Sequence, residues 1–280
     1  MAAYEPQTHL REAAIEQGKT ALLYVDVQNY NCHPDGTEIR GMGPAADLAY
    51  FWDRLAEATP LWVALQKLCR SAGIELLYTT IESLTKDCRD MSLDYKISGF
   101  KVPKGSWDGQ VIDALKPDAN EIVLPKTSCS VFVSTNIDYV LRTLGVRCLM
   151  IAGCLTDQCV ESAVRDACDL NYLVTLITDA CVTMSQARHD HSLRTIKGFC
   201  RQRTTQQVEE EVAQWQSTSS GIRRSSARPA GSPVSSSGGR YGYSIPSSGG
   251  GGLGYTEPIS SQDDSDMGNK EGEAESQVAT

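Results

Sequence analysis

Three residues combine a reactive side chain with a place at the end of an apolar, strand-length run. Cys159 lies in Gly153-Cys154-Leu155-Thr156-Asp157-Gln158-Cys159-Val160, just after the run Cys148–Ala152 and within the first turn of a predicted helix. Thr156 is placed to cap that helix. A thiol there meets free N–H groups and the positive helix end, which favour thiolate, and the same N–H groups suit a developing oxyanion. Asp26 follows Ala21-Leu22-Leu23-Tyr24-Val25, where a charge is costly unless paired. Lys126 follows Leu124-Pro125 at a third strand end. Each residue also has a plain role: a packing thiol, a loop hydrogen-bond acceptor, a solvated lysine. If the three strand ends meet, they bring a general base, a cation and a nucleophile into one crevice.

The elements that would bring them together are legible as an alternation. Residues 21–27 form a near-continuous apolar run, the pattern of a strand buried on both faces. Further strands are predicted at Ile74–Thr79, Glu121–Leu124, Cys148–Ala152, Tyr172–Ile177 and Arg201–Thr204. Helical spacing runs from Pro44 to Ser71, with Pro60 expected to divide or bend it. Other helices are predicted at Asp108–Leu115, Thr135–Leu144, from the Gly153–Thr156 turn to about Asp169, at Ser185–Gly198, and on to Trp215. This predicts an α/β fold: a single three-layer α/β/α domain with a mostly parallel sheet of about six strands. Active sites in such sheets lie beyond the carboxyl ends of the strands. The long connection Ile81–Gly105, rich in Ser and Asp, has the length of a functional loop.

The chain has 280 residues, a net charge of −9 and ten cysteines. That charge argues against general nucleic-acid binding. No run approaches the ~18 apolar residues of a membrane span, and Met1–Pro6 has no basic start to an apolar segment, so a cytoplasmic setting is expected. Cysteines scattered through apolar segments are read as reduced thiols rather than a disulfide framework. All of them, with the four tryptophans, precede Ser217. The organisation expected is therefore an N-terminal extension at 1–18, a folded domain at 19–216, and a disordered Ser/Gly-rich tail with an acidic end at 217–280. In the tail, Arg223-Arg224-Ser225-Ser226 has the look of a basic-directed kinase site.

From about Lys19 to Arg203 the chain resembles the isochorismatase-like cysteine hydrolases. The motifs that carry the resemblance are Val25-Asp26-Val27-Gln28-Asn29, Leu124-Pro125-Lys126, and Gly153-x-x-Thr156-Asp157-x-Cys159-Val160-Glu161-Ser162. The resemblance implies an Asp26–Lys126–Cys159 triad. It also implies an oxyanion hole from the backbone N–H groups of Leu155 and Cys159, and a cis peptide bond between Cys154 and Leu155. Lys104-Gly105-Ser106-Trp107-Asp108 looks most like the ureidoacrylate and N-carbamoyl amidohydrolase branch. Metal-binding nicotinamidases carry histidines where this chain reads Thr79-Thr80-Ile81-Glu82-Ser83, and His33 is the lone histidine of the earlier loop, so no metal and no cofactor is expected.

The function so implied is a metal-independent cysteine amidohydrolase. It would cleave the C–N bond of a small ureido, carbamoyl or amide compound through an acyl-enzyme on Cys159. The alternatives are a nicotinamidase-type amidase and a non-catalytic binding or scaffold protein on the same fold. Ureido acids carry a carboxylate, for which Arg89 and Lys96 are the candidate cations. Glu82 is placed to accept from a ureido NH2, and Tyr30 and Phe132 to form apolar walls. The resemblance also implies a homo-oligomer, a dimer or tetramer. His189 and His191 are expected at the surface. Cys129 is read as structural, like every cysteine except Cys159, and Cys154 as a thiol near enough in sequence to oxidise against it.

Overall fold

A run buried on both faces belongs in the middle of a sheet, and residues 20–25 are found there. The computed structural model describes residues 7–43 and 46–225, with side chains through residue 215. The strands are β1 (Thr20–Val25), β2 (Glu75–Ile81), β3 (Ile122–Lys126), β4 (Cys148–Cys154), β5 (Leu173–Val182) and β6 (Arg201–Arg203). They form one sheet in the order β3-β2-β1-β4-β5-β6, with every pairing parallel. Side chains alternate across β1. Leu22 and Tyr24 join Phe51, Trp62 and Leu65 of the helix Ala49–Ala72. Ala21, Leu23 and Val25 pack on the other face with Leu141, Val160 and Val164. The two cores make the three layers predicted.

The polar groups of Tyr24 and Trp62 inside these cores are paired, which limits the cost of burying them. Tyr24 Oη donates to the Trp62 carbonyl at 2.7 Å, and Trp62 Nε1 donates to the Ala180 carbonyl at 2.7 Å. Together these bonds tie the long helix to β1 and β5.

The chain runs from β1 outward to β2 and β3, then returns to the other side of β1 to lay down β4. This reversal opens a crevice beyond the carboxyl ends of β1 and β4. Val25 pairs with Gly153 at that point. Gly153 has φ +127°, and a Cβ there would lie 2.1 Å from the Val25 carbonyl oxygen, so only glycine permits the approach.

Several elements depart from the local pattern. The helix Ala49–Ala72 continues through Pro60, and Pro44 lies outside the described residues. Residues 108–115 do not form a helix but two short 3-10 turns, Trp107–Gly109 and Asp113–Leu115. Their backbone groups are taken by the loop leaving β1. Asn29 N donates to the Gln110 carbonyl, Ile112 N to the Val27 carbonyl, and Gln28 bridges Val111. The final helix, Thr205–Ser225, runs past Trp215 and past the boundary drawn at Ser217. Within the expected N-terminal extension, Ile15 is buried in the core and its N–H donates to Glu211 Oε2 at 3.3 Å. Residues 226–280, with Ser226 and most of the predicted tail, lie outside the described residues, as do the side chains of Arg223, Arg224 and Ser225.

Candidate active site

Asp26 is the first residue beyond β1 and is fully buried. Its φ of +52° is unusual for a residue with a side chain. Thr79 holds it there: Asp26 N donates to the Thr79 carbonyl at 3.1 Å, and Thr79 Oγ1 donates to Asp26 Oδ1 at 2.8 Å. Lys126 ends β3, and its side chain reaches across the end of β2 towards β1. Its Nζ stands 2.9 Å from Asp26 Oδ2 and 3.4 Å from Cys159 Sγ. Both members of the ion pair are buried, so each charge depends on the other. Burial acts to lower the Lys126 pKa, but the charges of Asp26 and Cys159 outweigh it and hold the ammonium above its usual range.

Cys159 is reached through a turn that departs from the predicted helix. The Cys154–Leu155 peptide bond is cis, as the family resemblance implied. Residues Thr156–Val160 then form a π-helical turn, which leads into the α-helix Glu161–Asp169. Thr156 is not a cap. Its Oγ1 pairs with His189 Nδ1 at 3.0 Å, so His189 is buried beneath the turn rather than at the surface. His191 is exposed as expected. Ser192 Oγ, from the same helix (Gln186–Ile196), bonds the Thr156 carbonyl and Glu161 Oε2, and Arg188 pairs with Asp157. This helix therefore braces the cysteine turn from below, a tertiary role that spacing does not encode.

Two further residues meet Cys159 that the motifs do not mark. Tyr95, in the short helix Leu93–Ser98 of the long connection, accepts from Lys126 Nζ at 3.0 Å. Its hydroxyl lies 3.6 Å from Cys159 Sγ. Burial, followed by the Cys159 and Asp26 charges, raises the Tyr95 pKa, so the group stays a donor. Ser92 caps this helix by accepting from Tyr95 N at 3.2 Å, a signal visible within a connection already marked by its length.

Cys129 Sγ donates to Cys159 Sγ at 3.9 Å and lies 3.3 Å from Ser162 Oγ, so it is not one of the remote structural thiols. Cys154 instead meets Cys32, 3.6 Å away. The Cys129–Cys159 thiols titrate as a pair. Cys129 is drawn down to about 6, first by its bond to Cys159, against burial and with help from Ser162 and Lys126. Cys159 is pushed up by the same contact and by burial, with Lys126 opposing. The two thiols thus compete for one proton, and Lys126, 3.4 Å from Cys159 Sγ, is placed to hold the Cys159 thiolate once its proton has left.

Asp26, Tyr95, Cys129 and Cys159 line a cavity of about 420 Å3, which also includes Asn31, Glu38, Asp94, Phe100, Leu155 and Gln158, while Lys126 is buried behind them. The other candidate substrate residues sit elsewhere. Arg89 pairs with Asp87, and Lys96 donates to the Arg89 carbonyl; both line a separate cleft on the outer side of the connection. Glu82 accepts from Gly105 N, Phe132 packs by Tyr172, and Tyr30 is buried behind the wall against Phe100. Among the described residues, no three His, Cys, Asp or Glu side chains are grouped to share a metal ion, and no helix is long and apolar enough to cross a membrane.

The chain has recognisable relatives. The isochorismatase domain matches residues 20–207. The ureidoacrylate amidohydrolase RutB of Rhizobium rhizogenes is 42% identical over 186 residues, covering 59% of this chain and 71% of that protein. RutB of Acinetobacter baylyi is 30% identical over 201 residues, covering 65% and 78%. Among solved structures, a cysteine hydrolase from Pseudomonas syringae pv. phaseolicola superposes with a TM-score of 0.64 at 24% identity, covering 72% of this chain and 96% of that one. N-carbamoylsarcosine amidase from Thermoplasma acidophilum gives 0.53 at 24% identity, covering 67% and 96%. These two structures share the fold, and the domain match spans well over half of the sequence. The chain belongs to the isochorismatase family.

Proposed function

We propose that the protein is a metal-independent cysteine amidohydrolase that cleaves the C–N bond of a small ureido, carbamoyl or amide compound. The observation that carries this reading is the position of Lys126 Nζ, 2.9 Å from Asp26 Oδ2 and 3.4 Å from Cys159 Sγ, behind the cavity that Asp26 and Cys159 line. The amidohydrolase relatives support the reaction class.

Cys159 gives its proton to Asp26, and the thiolate, held by Lys126, adds to the carbonyl carbon. The backbone N–H groups of Leu155 and Cys159 receive the oxyanion. Asp26 returns the proton to the departing nitrogen as the C–N bond breaks, leaving an acyl group on Cys159. Water then adds to the thioester as Asp26 takes its proton, and the thiolate leaves and is reprotonated. The Lys126 ammonium stays charged throughout and keeps Asp26 in place.

The test is ammonia release across ureido acids, biuret, N-carbamoyl amino acids and nicotinamide. Cys159→Ala is expected to lower turnover at least ~10³-fold with the melting temperature little changed. Activity that survives this substitution, or that a chelator abolishes, would rule out the mechanism.

A further inference from the structure

The cavity wall has one sign of charge. Its charged lining residues are Asp26, Glu38, Asp94 and Asp157, and no lysine, arginine or histidine lines it among the described residues. Two of the acids are already answered from behind: Lys126 pairs with Asp26 and Arg188 with Asp157. Glu38 and Asp94 have no ion-pair partner among the described residues. They approach from opposite loops, Glu38 in the helix Thr37–Gly41 and Asp94 in Leu93–Ser98.

A second observation points to a missing donor. Asn31, 3% exposed, lines the same cavity, and its Oδ1 has no hydrogen-bond donor among the described residues. A buried amide oxygen left without a donor costs roughly 1–3 kcal/mol unless a bound group supplies one. The loop that carries Asn31 and Glu38 is also built rather than loose. A Cβ on Gly36 would fall 2.3 Å from the carbonyl oxygens of Asn29 and Tyr30, and Asp108 Oδ1 accepts from Thr37 N at 3.3 Å. Burial and then the Asp26 charge hold the Glu38 carboxyl up at about 7, as expected where no cation stands beside it.

We propose that the substrate presents a cationic N–H donor, an alkylammonium or guanidinium group, to Asn31 Oδ1, Glu38 and Asp94. The inference rests on Cys159 being the nucleophile of an amide hydrolase, since that fixes where the carbonyl is received. It reverses the charge expected of a ureido acid, whose carboxylate would enter an acidic wall while Arg89 and Lys96 stand in another cleft.

The experiment uses the full chain carrying Cys159→Ala and three probes of equal length: a ureido-alkylamine, a ureido-alkane and a ureido-alkanoate. Calorimetric titration at pH 8.5 is expected to show the ammonium probe binding at least ~10-fold more tightly than the carboxylate. Adding Glu38→Gln should reduce that preference to about threefold or less, and Asp94→Asn, nearer solvent, should reduce it partly. Equal affinities, tighter binding of the carboxylate, no binding of any probe, or a preference unchanged in both double variants would overturn the inference. Ammonia release by the wild-type protein tests the hydrolase reading separately. Silence there, with the charge preference intact, would overturn that reading alone.

Discussion

The floor and the rim of the cavity are built on opposite terms. The floor comes from strand ends: Asp26 after β1, Lys126 closing β3, and Cys159 just past β4. Its charges are buried and answer one another across 2.9 Å and 3.4 Å. The rim comes from two long loops, and its polar groups, Asn31 Oδ1, Glu38 and Asp94, have no such partners among the described residues. A compensated floor can hold its geometry with the cavity empty, whereas an uncompensated rim gains its partners when a ligand arrives. The proposed chemistry belongs to the first region and the choice of substrate to the second.

The sharpest way to break this contrast is to remove compensation from the floor. Lys126→Met leaves Asp26 buried without its cation. It is expected to abolish measurable turnover and to cost about 3–5 kcal/mol of stability, read as a fall in the urea midpoint. A protein of unchanged stability would show that the pair does not hold the floor together.

Tyr95→Phe tests a residue that belongs to both regions, since its helix is part of the rim but its hydroxyl touches the floor. Losing the bonds to Lys126 and Cys159 should lower kcat by about 10- to 100-fold with little change in KM, because the ring still packs against Phe100. A change confined to KM would move Tyr95 to the rim alone.

Cys129→Ala should change kcat by less than about tenfold but displace the pH profile. In the wild-type protein the Cys129 contact, followed by burial, holds the Cys159 thiol above its usual range and so sets the acid limb of kcat/KM. Without Cys129 that upward push is lost, so the limb moves to lower pH. A limb that stays in place would mean that Cys129 shares no proton with Cys159.

The smallest effect is expected beneath the turn. His189 is buried and its pKa is lowered, first by burial and then by the Arg54 charge. The unfolded chain therefore binds a proton more readily than the folded one. The contribution of neutral His189 is complete above the unfolded value near 6.5 and is lost as pH falls below it. His189→Gln should cost about 1 kcal/mol at pH 7.5 through its bond to Thr156 and flatten this acid-side decline in melting temperature. An identical pH dependence in both proteins would show that His189 titrates alike in the folded and unfolded chain.

How much of this could be seen before folding depends on range. β1 was visible because its apolar run must be covered on both faces, and Asp26 because a carboxylate at the end of such a run demands a partner. The helix at 108–115 was misjudged because residues 27–29, some 80 positions away, take its backbone groups. His189 was misplaced because its cover is the Thr156 turn, 33 residues away. Arg89 and Lys96 were attractive as cations near the site in sequence, yet the connection that carries them turns both outward while it turns Tyr95 inward.

Local order and chemistry were therefore written in the chain: alternating strands and helices, a thiol after the β4 turn, an acid and an amine at strand ends. These depend on neighbours a few residues apart, where propensity and burial act directly. Which groups share a proton, which loop faces the cavity and what charge its wall carries were settled only when β4 was laid beside β1 and the two long loops closed over their ends. Contacts of that kind join residues 30 to 80 positions apart, and nothing in local sequence spacing specifies them.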